Sequence, residues 1–195
     1  MTDGMPARDP IAEFQDLFAR ASEREPDATA VALATADATG APSVRIVLLK
    51  AVDAAGFVFF TNYESRKARE LDVNPRAALC FYWPAIGVQV RVEGAVERVT
   101  AAESESYFAT RPRESQLGAW ASAQSQPLSD RETLLQAVAD AARCFPEEVR
   151  RPPWWGGFRL VPVRFEFWTA GANRLHDRFR YEPTEDGWTI TRLSP

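Results

Sequence analysis

The chain has 195 residues, 46% of them hydrophobic and 26% charged, with a net charge of −4 and a pI near 5.2. One domain of that length buries roughly 70% of its unfolded surface, so a sizeable core is expected. The acidic balance argues against nucleic acid or an anionic membrane as partner, since both attract a basic face, and no run approaches the roughly 18 apolar residues of a membrane span.

The first ten residues (MTDGMPARDP) carry no apolar signal-peptide core, so a soluble cytoplasmic protein is the expectation. Residues 1–8 are expected to be a disordered tail, with 9–195 forming a single domain. Two cysteines, Cys80 and Cys144, and one histidine, His176, make neither a disulfide framework nor a metal site of recognisable spacing. Both thiols are expected to be reduced and turned towards the core, and no metal is expected.

Asp9 and Pro10 suit the N-cap and first position of a helix. Its face carries Ile11, Phe14, Leu17 and Phe18, and the pattern ends near Glu25 and Pro26. Residues 28–36 read as a strand and 37–42 (DATGAP) as a turn. The run 43–50 (SVRIVLLK) is a second strand, and its continuous apolar centre predicts burial on both faces. Residues 52–56 turn, and 57–61 (FVFFT) form a third strand. A short helix follows within 62–74, with Ser65, Arg66 and Lys67 at its first turn. Helix N-termini of this kind attract phosphate, although Arg66 and Lys67 taken alone read as solvated charges.

Residues 76–83 and 87–99 are the next two strands; in the latter, Val88, Val90 and Val92 alternate with Gln89, Arg91 and Glu93. Thr100 and Glu103 form a capping box for a helix to about Thr110, and another helical piece begins at Pro112. Ser129 and Glu132 form a second capping box, for a helix with Leu134, Leu135, Val138 and Ala142 inward and Pro146 as its stop. Residues 158–168 are a sixth strand, with Pro162 at an edge or bulge. A terminal hairpin pairs 178–181 with 188–193 across EPTEDG. These elements predict an α+β fold dominated by antiparallel sheet or barrel. A dinucleotide-binding GxGxxG, a Walker A sequence and a GxSxG are all missing.

The segment 168–179 (WTAGANRLHDRF) surrounds the only histidine. If 174–178 is extended, Arg174, His176 and Arg178 share one face, with Leu175, Asp177 and Phe179 on the other. That face suits an anionic or planar, electron-rich ligand, but the segment by itself fits a solvated polar turn equally well. Similar basic pairs recur at Arg45 and Lys50, Arg66 and Lys67, and Arg111 and Arg113, each at the end of a strand or the start of a helix. Amide and hydroxyl groups at Thr61, Ser65, Gln89, Ser115, Gln124 and Ser125 add directional hydrogen bonds. Sparse basic pockets in an acidic chain fit a flat, phosphorylated cofactor better than nucleic acid.

Taken together, these segments resemble the pyridoxine/pyridoxamine 5′-phosphate oxidase family. The matching motifs are RIVLLK (45–50), FFTNYESRKARE (59–70), NPRAAL (74–79), QVRVEG (89–94), YFATRPRESQLGAWASAQS (107–125), WWGGFR (154–159), EFW (166–168) and RLHDRF (174–179). The resemblance implies an FMN-binding split β-barrel and a homodimer with its C-terminal hairpin region at the dimer contact. It implies FMN contacts at Arg45, Ile46, Val47, Leu48, Leu49, Lys50, Phe60, Thr61, Ser65, Arg66, Lys67, Gln89, Gln124, Ser125, Trp168 and Arg178. Substrate phosphate contacts are implied at Lys50, Tyr107, Arg111 and Ser115, and substrate-ring and catalytic roles at Arg174 and His176. The implied reaction oxidises pyridoxamine 5′-phosphate or pyridoxine 5′-phosphate to pyridoxal 5′-phosphate, with O2 reduced to H2O2.

The chain departs from the family pattern at Val88, where an Arg is common before the Gln, and at Thr169, where a Gln is common after the Trp. Residues 1–8 do not match the family's substrate-covering segment. Two other readings stand beside the first: a split-barrel flavoenzyme for another substrate, such as a phenazine-type precursor, and a non-enzymatic flavin- or heme-binding module. The presence of Lys50, Tyr107, Arg111 and Ser115 favours a phosphorylated substrate.

Overall fold

The computed structural model describes residues 9–195, so the expectation of a disordered tail over 1–8 lies outside the described residues. The first helix, α1 (Pro10–Ser22), is capped as its sequence predicts: the Asp9 carboxylate accepts from the Ile11 amide. It lays Phe14 into the sheet, with ring centroids 4.8 Å from Phe57 and 4.9 Å from Phe81. Phe14 is fully buried, and truncating it to Ala costs about 3–5 kcal/mol.

The strands are β1 (Ala30–Ala36), β2 (Pro42–Leu48), β3 (Ala51–Asp53), β4 (Gly56–Asn62), β5 (Arg76–Trp83), β6 (Val88–Arg98), β7 (Trp155–Thr169), β8 (Asp177–Thr184) and β9 (Gly187–Arg192). All their pairings are antiparallel, in the order β2-β1-β5-β6-β7-β4-β3, with β8 and β9 attached to β7. The sheet curls into a half-barrel, the mainly antiparallel α+β architecture expected. Strand β7 is its spine. It pairs with β6 along most of its length, with β4 over 155–160 and with β8 over 165–169. Pro162 falls between the last two stretches, where the register against β6 shifts, so its missing N–H breaks no ladder.

Helix α2 (Arg66–Val73) follows β4. Helices α3 (Ala101–Ala109), α4 (Arg113–Ala121) and α5 (Arg131–Cys144) lie between β6 and β7 over a second, smaller core of Phe108, Leu117, Ala119, Ala141, Val149 and Trp155. No helix among the described residues is long and apolar enough to cross a membrane.

Four expectations need correction. Strand β2 is not buried on both faces: it is the sheet edge, and Val44 (68%), Ile46 (64%) and Leu48 (41%) are exposed. An apolar run does not distinguish a central strand from an edge strand with an apolar outer face. The cap of α5 is Asp130, which accepts from the Thr133 amide; the helix starts too late for Ser129 to serve. Leu135 points outward on that helix, 56% exposed, while Ala141 is buried in its place. Cys144 is exposed at the helix end, and only Cys80 is half-buried, although both are free thiols as expected.

Candidate functional site

Four elements converge below the edge strand. Strand β4 ends at Thr61 and Asn62, α2 begins beside it, and α3 and α4 close the far side. Between them and β2 lies a cleft of about 500 Å³. It brings together Arg45, Ile46, Val47, Leu48 and Lys50 with Phe60, Thr61 and Lys67, and it adds Tyr107, Arg111, Ser115 and Gln124. Four of these twelve are cations, and none of the residues lining the cleft is acidic.

The aromatic wall is a stack. Phe60 lies 4.1 Å from Tyr107 at 19° and 5.4 Å from Trp155 at 9°. Its register partner across the sheet is Gly157, where a Cβ would stand 2.8 Å from the Phe60 ring; only glycine leaves room for the stack. The Arg111 guanidinium sits 4.6 Å over the Trp155 ring. Its Nη1 is buried with no hydrogen-bond partner, and burial pushes its pKa down. A cation in that state is poised for an anion.

Lys67 is the second such cation. It is 9% exposed, and its Nζ donates to Thr61 Oγ1 at 3.0 Å, Gln124 Oε1 at 2.8 Å and Ser65 Oγ at 3.3 Å, all neutral acceptors. Burial first, then the charge of Arg45, lowers its pKa to about 8, against a smaller opposing pull from Glu70. Ser65 itself is fully buried at the N-cap of α2.

Glu70 organises the neighbouring basic groups. Its carboxylate accepts from Ser43 Oγ at 2.6 Å, Arg66 Nε at 2.8 Å and Arg45 Nη2 at 3.2 Å, and from the Thr35 hydroxyl. Burial alone would raise the Glu70 pKa, but these four donors, led by Ser43, outweigh it and hold it at about 2. Sequence reading passed over Glu70, although its i,i+4 spacing from Arg66 was a usable signal. It also passed over Trp155, Thr110 and Pro112, which complete the cleft wall.

The remaining candidates lie elsewhere. Leu49 is a core residue, 5% exposed. Arg66 turns outward, its side chain 60% exposed. Ser125, next to Gln124, is exposed with a positive φ of 70°. Gln89, Trp168 and Arg178 are register partners on β6, β7 and β8, so they stand side by side on one face of the sheet. Arg178 is held there by Glu166, with Nε to Oε1 at 2.9 Å. Within one chain this row is far from the cleft: eleven residues of β7, on the order of 35 Å of extended chain, separate Gly157 from Trp168.

Arg174 and His176 do not belong to a strand, contrary to the alternation expected for 174–178. Residues Ala172–Arg174 form a 3-10 turn in which Asn173 and Arg174 have φ of 55° and 64°, and β8 begins only at Asp177. Arg174 and His176 are still neighbours of the row, since the His176 ring lies 4.5 Å from that of Trp168. Asp177 turns away to Arg192. The two departures from the family pattern, Val88 and Thr169, are register partners directly opposite each other. Val88 is buried at 2% and Thr169 is exposed.

Residues 18–144 match the model of the pyridoxamine 5′-phosphate oxidase family, and residues 155–195 match the pyridoxine 5′-phosphate oxidase C-terminal dimerisation region. The pyridoxine/pyridoxamine 5′-phosphate oxidase of Anaeromyxobacter dehalogenans is 59% identical over 191 residues, 97% of this chain and 96% of the relative. That of Myxococcus xanthus is 53% identical over 189 residues, 96% and 92% of the two chains. Among solved structures, PhzG from Burkholderia lata in complex with tetrahydrophenazine-1-carboxylic acid superposes with a TM-score of 0.92 at 33% identity, over 97% of this chain and 94% of that one.

Proposed function

The chain belongs to the pyridoxamine 5′-phosphate oxidase family, and on that premise we propose that it oxidises pyridoxamine 5′-phosphate and pyridoxine 5′-phosphate to pyridoxal 5′-phosphate with FMN as cofactor and O2 as acceptor. One observation carries this reading. Two of the four cations in the cleft, Lys67 and Arg111, stand in separate places, and neither is hydrogen-bonded to a carboxylate among the described residues. A phosphorylated cofactor and a phosphorylated substrate together need two such places, and charge-assisted bonds of this type contribute roughly 1.5–3 kcal/mol each.

Lys67, with Arg45, Thr61, Ser65, Arg66 and Gln124, is assigned to the FMN phosphate and ribityl chain. Arg111, with Lys50, Tyr107 and Ser115, is assigned to the substrate phosphate. When bound, FMN would supply the two-electron redox chemistry that oxidises the substrate at C4′, with O2 as the final acceptor. The chain's part is to bind, orient and exclude water. Arg174 holds the substrate ring, His176 gives it a hydrogen bond, and Gln89, Ser125, Trp168 and Arg178 hold the flavin.

Of these, Gln89, Trp168, Arg174, His176 and Arg178 are remote from the cleft in one chain, which is why a homodimer belongs to the proposal. The exposed apolar edge of β2 and the matched dimerisation region both support pairing of two copies. Each site would then combine the cleft of one copy with the row around Trp168 of the other.

Purified protein supplemented with FMN should show flavin absorption bands and produce peroxide with both phosphorylated vitamers. Failure to form pyridoxal 5′-phosphate at saturating FMN would overturn the assignment. The likeness to PhzG favours one second reading, oxidation of an unphosphorylated tricyclic substrate. On that reading Arg111→Ala leaves turnover untouched, because no phosphate is gripped.

A further inference from the structure

Strand β7 ends at Thr169 and β8 starts at Asp177, and the seven residues between them fold back tightly. Gly171 lies so close to the far side of the loop that a Cβ there would stand 1.8 Å from the Leu175 carbonyl oxygen. The Leu175 amide donates to the Ala172 carbonyl at 3.0 Å. Asn173 and Arg174 both take positive φ, a conformation that costs roughly 1–2 kcal/mol per residue outside glycine. The loop holds that strain while it brings the Gly171 amide to the imidazole of His176, with N to Nδ1 at 3.2 Å. The Trp168 ring packs on the same imidazole at 4.5 Å and 42°, fixing its plane.

A backbone N–H can only donate, so the ring nitrogen facing it must offer a lone pair. In neutral imidazole one nitrogen accepts and the other carries the proton. We propose that the Gly171 backbone amide locks His176 as the Nε2–H tautomer, making His176 a hydrogen-bond donor to an oxygen of the substrate and not its base. Gly171 is thereby a positioning residue. This rests on the substrate reading above.

The surroundings of Nε2 agree. Among the described residues it has no protein partner. The adjacent carboxylate, Asp177, is engaged by Arg192 and does not form a carboxylate–imidazole pair with it. A histidine set up as a base would have the opposite arrangement, with an acceptor on Nδ1 to hold the proton there and leave Nε2 free to receive one.

The chain contains one histidine, so untagged protein labelled with 15N-histidine gives a single pair of ring signals. In protein saturated with FMN at pH 8, long-range proton–nitrogen correlation should show a pyridine-type Nδ1 and a pyrrole-type Nε2. The reverse pattern, or two averaged nitrogens, overturns the lock. Variants supply a second readout. The side-chain amide of His176→Gln presents a donor close to the Nε2 position, and this variant should lose less than about tenfold in kcat/KM, whereas His176→Leu should lose about 100-fold. Equal losses in both variants would mean that donation is not the role. If the protein oxidises neither vitamer, the substrate reading fails while the nitrogen shifts still report the tautomer. If it turns over with the proton on Nδ1, the lock alone fails.

Discussion

Lys67 offers the sharpest test of the cleft as an anion site. Its pKa of about 8 in the free protein means that the fraction uncharged is about 0.1 at pH 7, 0.5 at pH 8 and 0.9 at pH 9. An FMN phosphate dianion beside it raises that pKa by about 2. Binding should then take up about 0.1 proton at pH 7, 0.5 at pH 8 and 0.8 at pH 9. The second ionisation of the phosphate, near pH 6, contributes little above pH 7.5. Calorimetric titration in two buffers of different ionisation enthalpy measures the uptake directly. Lys67→Arg keeps a cation that cannot deprotonate in this range, so it should bind FMN with no uptake. Lys67→Met should also lose the uptake, and affinity with it, by about 10–100-fold. Uptake unchanged in Lys67→Arg, or close to zero in the wild type at pH 8, would refute the reasoning. Stability supplies an independent arm. Between pH 8 and 10.5 the unfolded lysine holds its proton and the folded one has lost it, so apoprotein stability rises with pH. The rise due to Lys67 is about 2 kcal/mol once screening by the open cleft is allowed for. Lys67→Met should lack that increment in urea titrations.

Further outcomes follow from other residues. Arg111→Ala should raise KM for the phosphorylated substrate about 10–100-fold, with flavin affinity unchanged, as steady-state kinetics and flavin titration would show. Arg174→Ala should cut turnover strongly while the protein stays yellow; loss of flavin would mean that Arg174 serves the cofactor. Glu70→Gln should destabilise the protein by about 3 kcal/mol at pH 7, because it breaks a buried ion pair. Glu70 is stabilising above the ordinary carboxylate range and loses that contribution as pH falls through about 2, so the gap between wild type and variant should narrow in acid. Val44→Asp places a charge on the apolar edge of β2 and should yield monomers in sedimentation velocity, with flavin binding lost; a flavin-loaded monomer would contradict the two-copy site.

Local chemistry was the most legible part of the fold. Capping groups at Asp9 and Thr100 depend on neighbours within a few residues, and each is found where its sequence puts it. What depends on distant partners was not legible. The outward face of β2 is set by its position at the sheet edge, and nothing in IVLL records that position. Leu135 is exposed because its helix turns Val138, Ala141 and Ala142 to the small core, where Val149 and Trp155 from elsewhere in the chain complete the packing. The same distinction holds in the site. Phosphate-type residues in the cleft could be named from motifs, but the pairing of Arg45 with Glu70 spans 25 residues and appears only on folding. At Arg174 and His176 the backbone was not legible, since the alternation of a strand was read where the chain makes a left-handed turn.

The late position of β7 in the chain has a consequence for synthesis. Strands β4 and β6 are both complete by residue 98 and can pair with β3 and β5, yet the other edge of each is covered only when residues 155–169 have left the ribosome. Until then the nascent chain carries two unprotected strand edges and a half-assembled hydrophobic interior, a state prone to wrong pairing with neighbouring nascent chains. Premature termination anywhere before β7 should therefore yield insoluble fragments rather than a smaller folded unit. The two halves of the sheet join in a single step, when β7 pairs with both β4 and β6.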